Sequence, residues 1–347
     1  MTVSASTNDI VFSIGPVPSP VHVAARKGWI GQFFRPCGVR PQDLGDLPAS
    51  AEQHISHRLD NMFRVGGSVP ALWARGNGAQ TTVVGVVWAP ARLSVLVRDD
   101  SPFASLADLC AARFALPVRT HWPVDFLRLG AMFMLRNIFR SAGLPMESVK
   151  PVLVEVPFEA SLREGGTTYL ARTRFEQRAM RHEIATLLEG RADFMLVTQG
   201  RGIICRQTER LRELHVVPYD GPWASMFGNS CPVVTTVSTA LARSRPDIVR
   251  RWLRMELLAA RWAASNRSET ILTLSGVMDI PADVLPVAFG PDIAIRLTPR
   301  IDLRAREALR YIKEYFAAQG ALVSDFPLDS WIDESFLAET RMEIEPD

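Results

Sequence analysis

Four short runs hold the side chains best suited to chemistry. Ser13-Ile14-Gly15-Pro16-Val17-Pro18-Ser19-Pro20 places three prolines within five positions. It follows a predicted strand, Ile10–Ile14, and open α/β sheets hold ligands at the carboxyl ends of their strands. The plainer reading is a stiff turn before a helix. In Arg64-Val65-Gly66-Gly67 the two glycines admit a close backbone approach, and the arginine fork matches a carboxylate, sulfinate or sulfonate. Arg119-Thr120-His121-Trp122, between a strand and a helix, offers hydroxyl, imidazole and indole groups as a cradle for an anion and a ring. Asn229-Ser230-Cys231-Pro232 stands just before another predicted strand, Val233–Val237.

Other chemistries fall away on spacing. His54-Ile55-Ser56-His57, with Asp60 beyond, supplies too few well-placed ligands for zinc, so no metal is expected. The run Gly228-Asn229-Ser230-Cys231 is not a nucleophile elbow. No Gly-x-Gly-x-x-Gly follows the first strand, and no motif calls for a cofactor. The chain has 39 Lys plus Arg, of which only Lys27, Lys150 and Lys313 are lysines. No glycine-rich run ends in Lys-Ser or Lys-Thr, which rules out a P-loop. Against 37 acidic residues the net charge is +2, too balanced for an electrostatic nucleic-acid binder.

Composition bounds the rest. At 347 residues, 47% hydrophobic and 22% charged, the chain is globular and long enough for two domains. Cys37, Cys110, Cys205 and Cys231 lie far apart, with neither a zinc ribbon nor a disulfide framework in their spacing. No stretch reaches the roughly 20 apolar residues of a membrane span, so no membrane insertion is expected. The first residues lack a basic and an apolar signal region, which points to the cytoplasm, or to the periplasm if a signal has been trimmed.

Strand-like and helix-like segments alternate, predicting parallel sheets flanked by helices. Candidate strands are Ile10–Ile14, Thr82–Trp88, Leu93–Val97, Arg113–Val118, Pro151–Val156, Asp193–Val197, Leu214–Pro218 and Val233–Val237. Helices are predicted over Asp125–Ser141, from a Ser244 cap onward, and over Leu303–Ala318. Phe158–Arg181, with Gly165-Gly166 and five arginines, reads as a long loop beside a site or a solvated excursion.

A wider pattern joins these pieces. Gly15-Pro16-Val17-Pro18, Lys27-Gly28-Trp29, Arg64-Val65-Gly66-Gly67 and Val97-Arg98-Asp99-Asp100-Ser101-Pro102 occur in a familiar order. Ala107-Asp108-Leu109, Phe289-Gly290-Pro291-Asp292, Pro299-Arg300-Ile301-Asp302 and Asp329-Ser330-Trp331 extend it. The chain resembles the sulfonate/nitrate-type (thiamine-pyrimidine-synthase-like) solute-binding protein family, and within it the desulfinase-like members. The resemblance implies an α/β fold of the type II periplasmic-binding-protein kind, two α/β domains with an interdomain cleft. Domain I would comprise 1–97 and 229–347, and domain II 98–228. It implies His54 and Arg64 as catalytic residues, with Gly67 from the Arg-x-Gly-Gly run. The family's nucleophilic cysteine is replaced by Gly15. The expected ligand is a small aromatic or heteroaromatic anion, touched by Gly15, Gly66, Gly67, Thr120, His121, Trp122 and Cys231. Two uses are implied: a desulfinase-like lyase or biosynthetic enzyme, or a non-catalytic solute-binding protein, whose partner would be an ABC permease if it serves transport.

Overall fold

Residues 9–47, 50–119, 123–155, 180–227 and 231–344 are described by a computed structural model of the chain. Ten strands organise them: β1 (Asp9–Ile14), β2 (Arg40–Asp43), β3 (Met62–Gly67), β4 (Thr81–Val87), β5 (Leu93–Arg98), β6 (Arg113–Val118), β7 (Lys150–Glu155), β8 (Phe194–Thr198), β9 (Leu211–Val217) and β10 (Val233–Ser238). They form two open five-stranded sheets, ordered β2-β1-β3-β10-β4 and β7-β6-β8-β5-β9. The molecule is therefore built from two α/β domains.

The sheets are mixed and not purely parallel. β10 runs antiparallel to both β3 and β4, and β5 runs antiparallel to both β8 and β9. These are the strands that follow the two crossovers between sheets. Chain arriving from the other domain enters at the facing edge, so its first strand must run against those that end there.

Helices pack around these sheets, among them α1 (Pro20–Arg26), α2 (Ser50–Ser56), α3 (Ser68–Gly76), α4 (Phe126–Ser141), α5 (Arg201–Thr208), α6 (Pro246–Ser265), α7 (Val284–Phe289) and α8 (Leu303–Ala318). Asp125 caps α4 through Arg128 N, and Asp302 caps α8 through Ala305 N. Ser244 does not cap α6. It ends the preceding helix, Thr239–Ser244, and the α6 cap position belongs to Arg245.

Periodicity explains the core of the first domain. Along β3, Phe63 and Val65 face the cluster centred on α1 and α6, where Trp252 stacks on Phe63 at 4.5 Å. Alternate residues of a strand face opposite ways, so Met62, Arg64 and Gly66 share the other face. The strand is buried throughout. An arginine at its centre breaks the apolar run, and so Arg64–Gly67 reads as loop in sequence although it is the end of a central strand. β2 is equally illegible: Arg-Pro-Gln-Asp is a polar edge strand.

The domains touch on several elements besides the crossovers. Phe133 of α4 lies 4.6 Å from the Tyr315 ring of α8, and Tyr311 Oη donates to Asn137 Oδ1 at 2.7 Å. Elsewhere, Arg201 donates to Met278 O at 3.4 Å and Gln199 Nε2 to Pro16 O at 3.5 Å. Gly200 has φ +73°, and a Cβ there would stand 2.8 Å from Ala288 Cβ of α7. Only glycine allows that approach.

Candidate functional site

The carboxyl ends of β1 and β3 bring Gly15, His54, Arg64, Gly66 and Gly67 of the predicted residues together. The two strands pair in parallel, Ser13 opposite Arg64 and Ile14 opposite Val65. Gly15 continues the ladder, its N–H donating to Val65 O at 2.7 Å. Gln199, just beyond β8 of the second domain, reaches Pro16 on this same loop. The site edge therefore faces the other domain.

Three side chains interlock there. Arg64 is 1% exposed, and its Nε donates to His54 O at 2.8 Å while Nη1 donates to Gly67 O at 3.2 Å. His54, half-buried on α2, shares a 2.6 Å hydrogen bond between Nδ1 and Ser13 Oγ. Arg64 thus holds the end of α2, and α2 returns an imidazole to the residue opposite Arg64. Gly66 suits this packing. A Cβ there would lie 3.1–3.4 Å from the Arg64 guanidinium atoms.

Position 15 is the open side of the cluster. A Cβ on Gly15 would stand 3.6 Å from His54 Nε2, 3.6 Å from Val65 O and 3.4 Å from Gly66 Cα. These are ordinary contacts, so a small side chain would fit beside His54. Arg64, expected as a free fork, instead spends two donors on backbone carbonyls. Its charge stays at the site edge, next to α3, whose first turn comes directly after Gly67.

The second histidine of the His-x-x-His run serves the core. His57 is 2% exposed, donates from Nε2 to Met62 O at 3.2 Å and meets Thr236 Oγ1 through Nδ1 at 3.2 Å. Burial first, with a smaller contribution from the Arg64 charge, pushes its pKa down to about 3. The two imidazoles are tied to different partners, and no group of three or more metal-binding side chains occurs among the described residues.

Cys231 corrects the sequence reading. It is 1% exposed and packs among Trp88, Phe227 and Val234, so it does not present a thiol to ligand. Burial pushes that thiol up to about 12. Thr120, His121 and Trp122 lie outside the described residues, as do 158–179 of the arginine-rich run. Sequence reasoning misses Ser13 and His22. A histidine on the apolar face of a short helix is the available signal for His22, since a buried imidazole needs a partner.

No family model matches the chain. Two 2'-hydroxybiphenyl-2-sulfinate desulfinases, from Rhodococcus erythropolis and Rhodococcus qingshengii, are each 24% identical over 359 positions, covering 96% of this chain and 94% of theirs. The solved structure of the desulfurization enzyme DSZB superposes with a TM-score of 0.75 at 20% identity, covering 97% of this chain and 100% of that one. This chain and the desulfinase are homologues. The same fold occurs in the SsuA-type sulfonate-binding proteins. SsuA of Methylobacillus flagellatus superposes with a TM-score of 0.70 at 15% identity, covering 97% of this chain and 94% of its own. The architecture is accordingly of the type II periplasmic-binding-protein kind, and no described helix is long and apolar enough to cross a membrane.

Proposed function

We propose that this chain holds a small organic anion, a sulfinate, sulfonate or carboxylate, between its two domains at the Gly15, His54, Arg64 and Gly67 edge. One observation carries the reading: the Arg64 charge, the His54 imidazole and the start of α3 converge where β1 and β3 end. Relatives on the same fold are named for sulfonate binding, and a cysteine-to-serine mutant of DSZB was solved with biphenyl-2-sulfinic acid. Gly15 leaves this edge without a side chain beside His54. Binding alone would suit a transport receptor or a sensor.

A second reading, a desulfinase-like lyase, is favoured by the aim of His54 Nε2 toward position 15. In that reading the aryl–sulfur bond breaks, the ring carbon takes a proton relayed by His54, water is consumed and sulfite leaves beside Arg64. Gly15 offers no side chain to attack sulfur, which favours binding over turnover. Equilibrium dialysis with 2'-hydroxybiphenyl-2-sulfinate, paired with a sulfite assay, separates the two. Retention without sulfite supports the binder, sulfite release the lyase, and neither would reject a sulfinate as the ligand in both readings.

A further inference from the structure

His22 belongs to neither reading, yet it grips the loop on which both depend. It sits on α1 and is 4% exposed. Its Nε2 lies 3.2 Å from Gly15 O and 3.0 Å from Val17 O. Both partners are carbonyl oxygens, so Nε2 carries the proton and donates to each. Local sequence sets the geometry. Ser19 caps α1 through Val21 N at 3.1 Å, and Pro20 opens the helix. Helical side chains lean toward their own amino terminus, which carries His22 back over the preceding loop. Burial pushes its pKa down to about 4, so the ring is neutral near pH 7.

The loop is thus held from two directions. The Gly15 N–H is fixed by Val65 O, and the Val17 N–H closes onto Gly15 O at 2.8 Å. The Gly15 and Val17 carbonyls turn to α1, whereas a Cβ on Gly15 would point toward His54. Carbonyl oxygens aimed the other way would repel an anion held at that edge.

We propose that His22 is a positioning residue: its Nε2–H draws both carbonyls toward α1, so that the loop presents Gly15 Cα to the space beside His54. The assignment rests on the anion reading for its purpose, although the bonding itself is testable without ligand.

The experiment compares wild type, His22→Leu and His22→Gln by hydrogen exchange and ¹⁵N NMR, then by affinity for biphenyl-2-sulfinate. Glutamine restores an amide donor; leucine does not. Exchange at Gly15 and Val17 should rise at least about tenfold in His22→Leu, with Trp252 unaffected, and return close to wild type in His22→Gln. Sulfinate affinity should fall and recover in the same order. Unchanged exchange in His22→Leu, or a glutamine variant as fast as leucine, overturns the proposal. So does equal sulfinate affinity in all three. An Nδ1–H tautomer in the wild type overturns it even if the leucine variant does not fold. A wild type that binds neither this sulfinate nor the matching sulfonate or carboxylate rejects the anion reading, and exchange with the tautomer then decides the His22 bonding alone.

Discussion

Ser13 Oγ lies 2.6 Å from His54 Nδ1, and this contact turns the opposite ring nitrogen toward position 15. The two residues are 41 apart in sequence, one near the end of a strand and one on a short helix. Their meeting depends on Arg64, which holds the His54 carbonyl from the strand beside Ser13. A hydroxyl bonded to one ring nitrogen fixes the rotamer, and so the direction in which the other nitrogen points.

Replacing Ser13 by alanine should therefore loosen the ring without removing it. A neutral hydrogen bond contributes about 0.5–1.5 kcal/mol, so affinity for an aryl sulfinate should fall about 2- to 12-fold. Calorimetric titration of Ser13→Ala against wild type measures this. Equal dissociation constants would mean that His54 orientation does not matter to the bound anion.

Gly15→Cys should be accommodated, because a Cβ there meets nothing closer than 3.4 Å. Its thiol would lie beside His54 and lose its proton more readily than a free cysteine. Sulfite release from 2'-hydroxybiphenyl-2-sulfinate that appears only in Gly15→Cys would show a competent site lacking its nucleophile. Release by wild type would show that chemistry here runs without a thiol at position 15.

The legible parts of the site are its backbone features. Three alternating prolines and a glycine pair mark rigid or close-packed chain, whatever the tertiary structure. The strand that carries Arg64 is not legible, because one buried cation interrupts its apolar pattern. Nor are the partners Ser13, His22 and Gln199, whose bonds join residues brought together only by folding. Cys231 misleads for the opposite reason: nearness in sequence to a crossover says nothing about which side of the chain it packs against.

Glu256 is fully buried, accepting from Trp252 Nε1 at 2.7 Å and Thr235 Oγ1 at 2.9 Å. Burial raises its pKa from 4.5 to about 7. The folded state then holds a proton that the unfolded state releases, so this group's contribution declines as pH rises from 4.5 to 7. Glu256→Gln keeps an acceptor for both donors and removes the charge. Its stability relative to wild type should rise by about 2–3 kcal/mol across that window in urea unfolding. A difference that stays constant from pH 5 to 8 would contradict the assignment.

His22 and His57 act in the opposite sense. Their folded values, about 4 and about 3, lie below the ordinary 6.5. The stability linked to the neutral rings is present above pH 6.5 and is lost as pH falls toward those values. Each ring adds a slope of about 1.4 kcal/mol per pH unit while only the unfolded state is protonated. His57→Gln should flatten the slope measured by urea unfolding between pH 6 and 4.5. An unchanged slope would mean that His57 charges as easily in the fold as in water.

The anion reading is tested most directly by calorimetry of the wild-type chain with biphenyl-2-sulfinate, biphenyl-2-sulfonate, biphenyl-2-carboxylate and uncharged biphenyl, repeated on Arg64→Lys. At least one anion should bind with a defined stoichiometry and biphenyl should not. Lysine should weaken that anion about tenfold or more, because a point charge cannot keep the contacts to the His54 and Gly67 carbonyls while meeting a ligand. Heat from biphenyl equal to that from the anions, or full affinity retained in Arg64→Lys, would contradict an anion site built around this arginine.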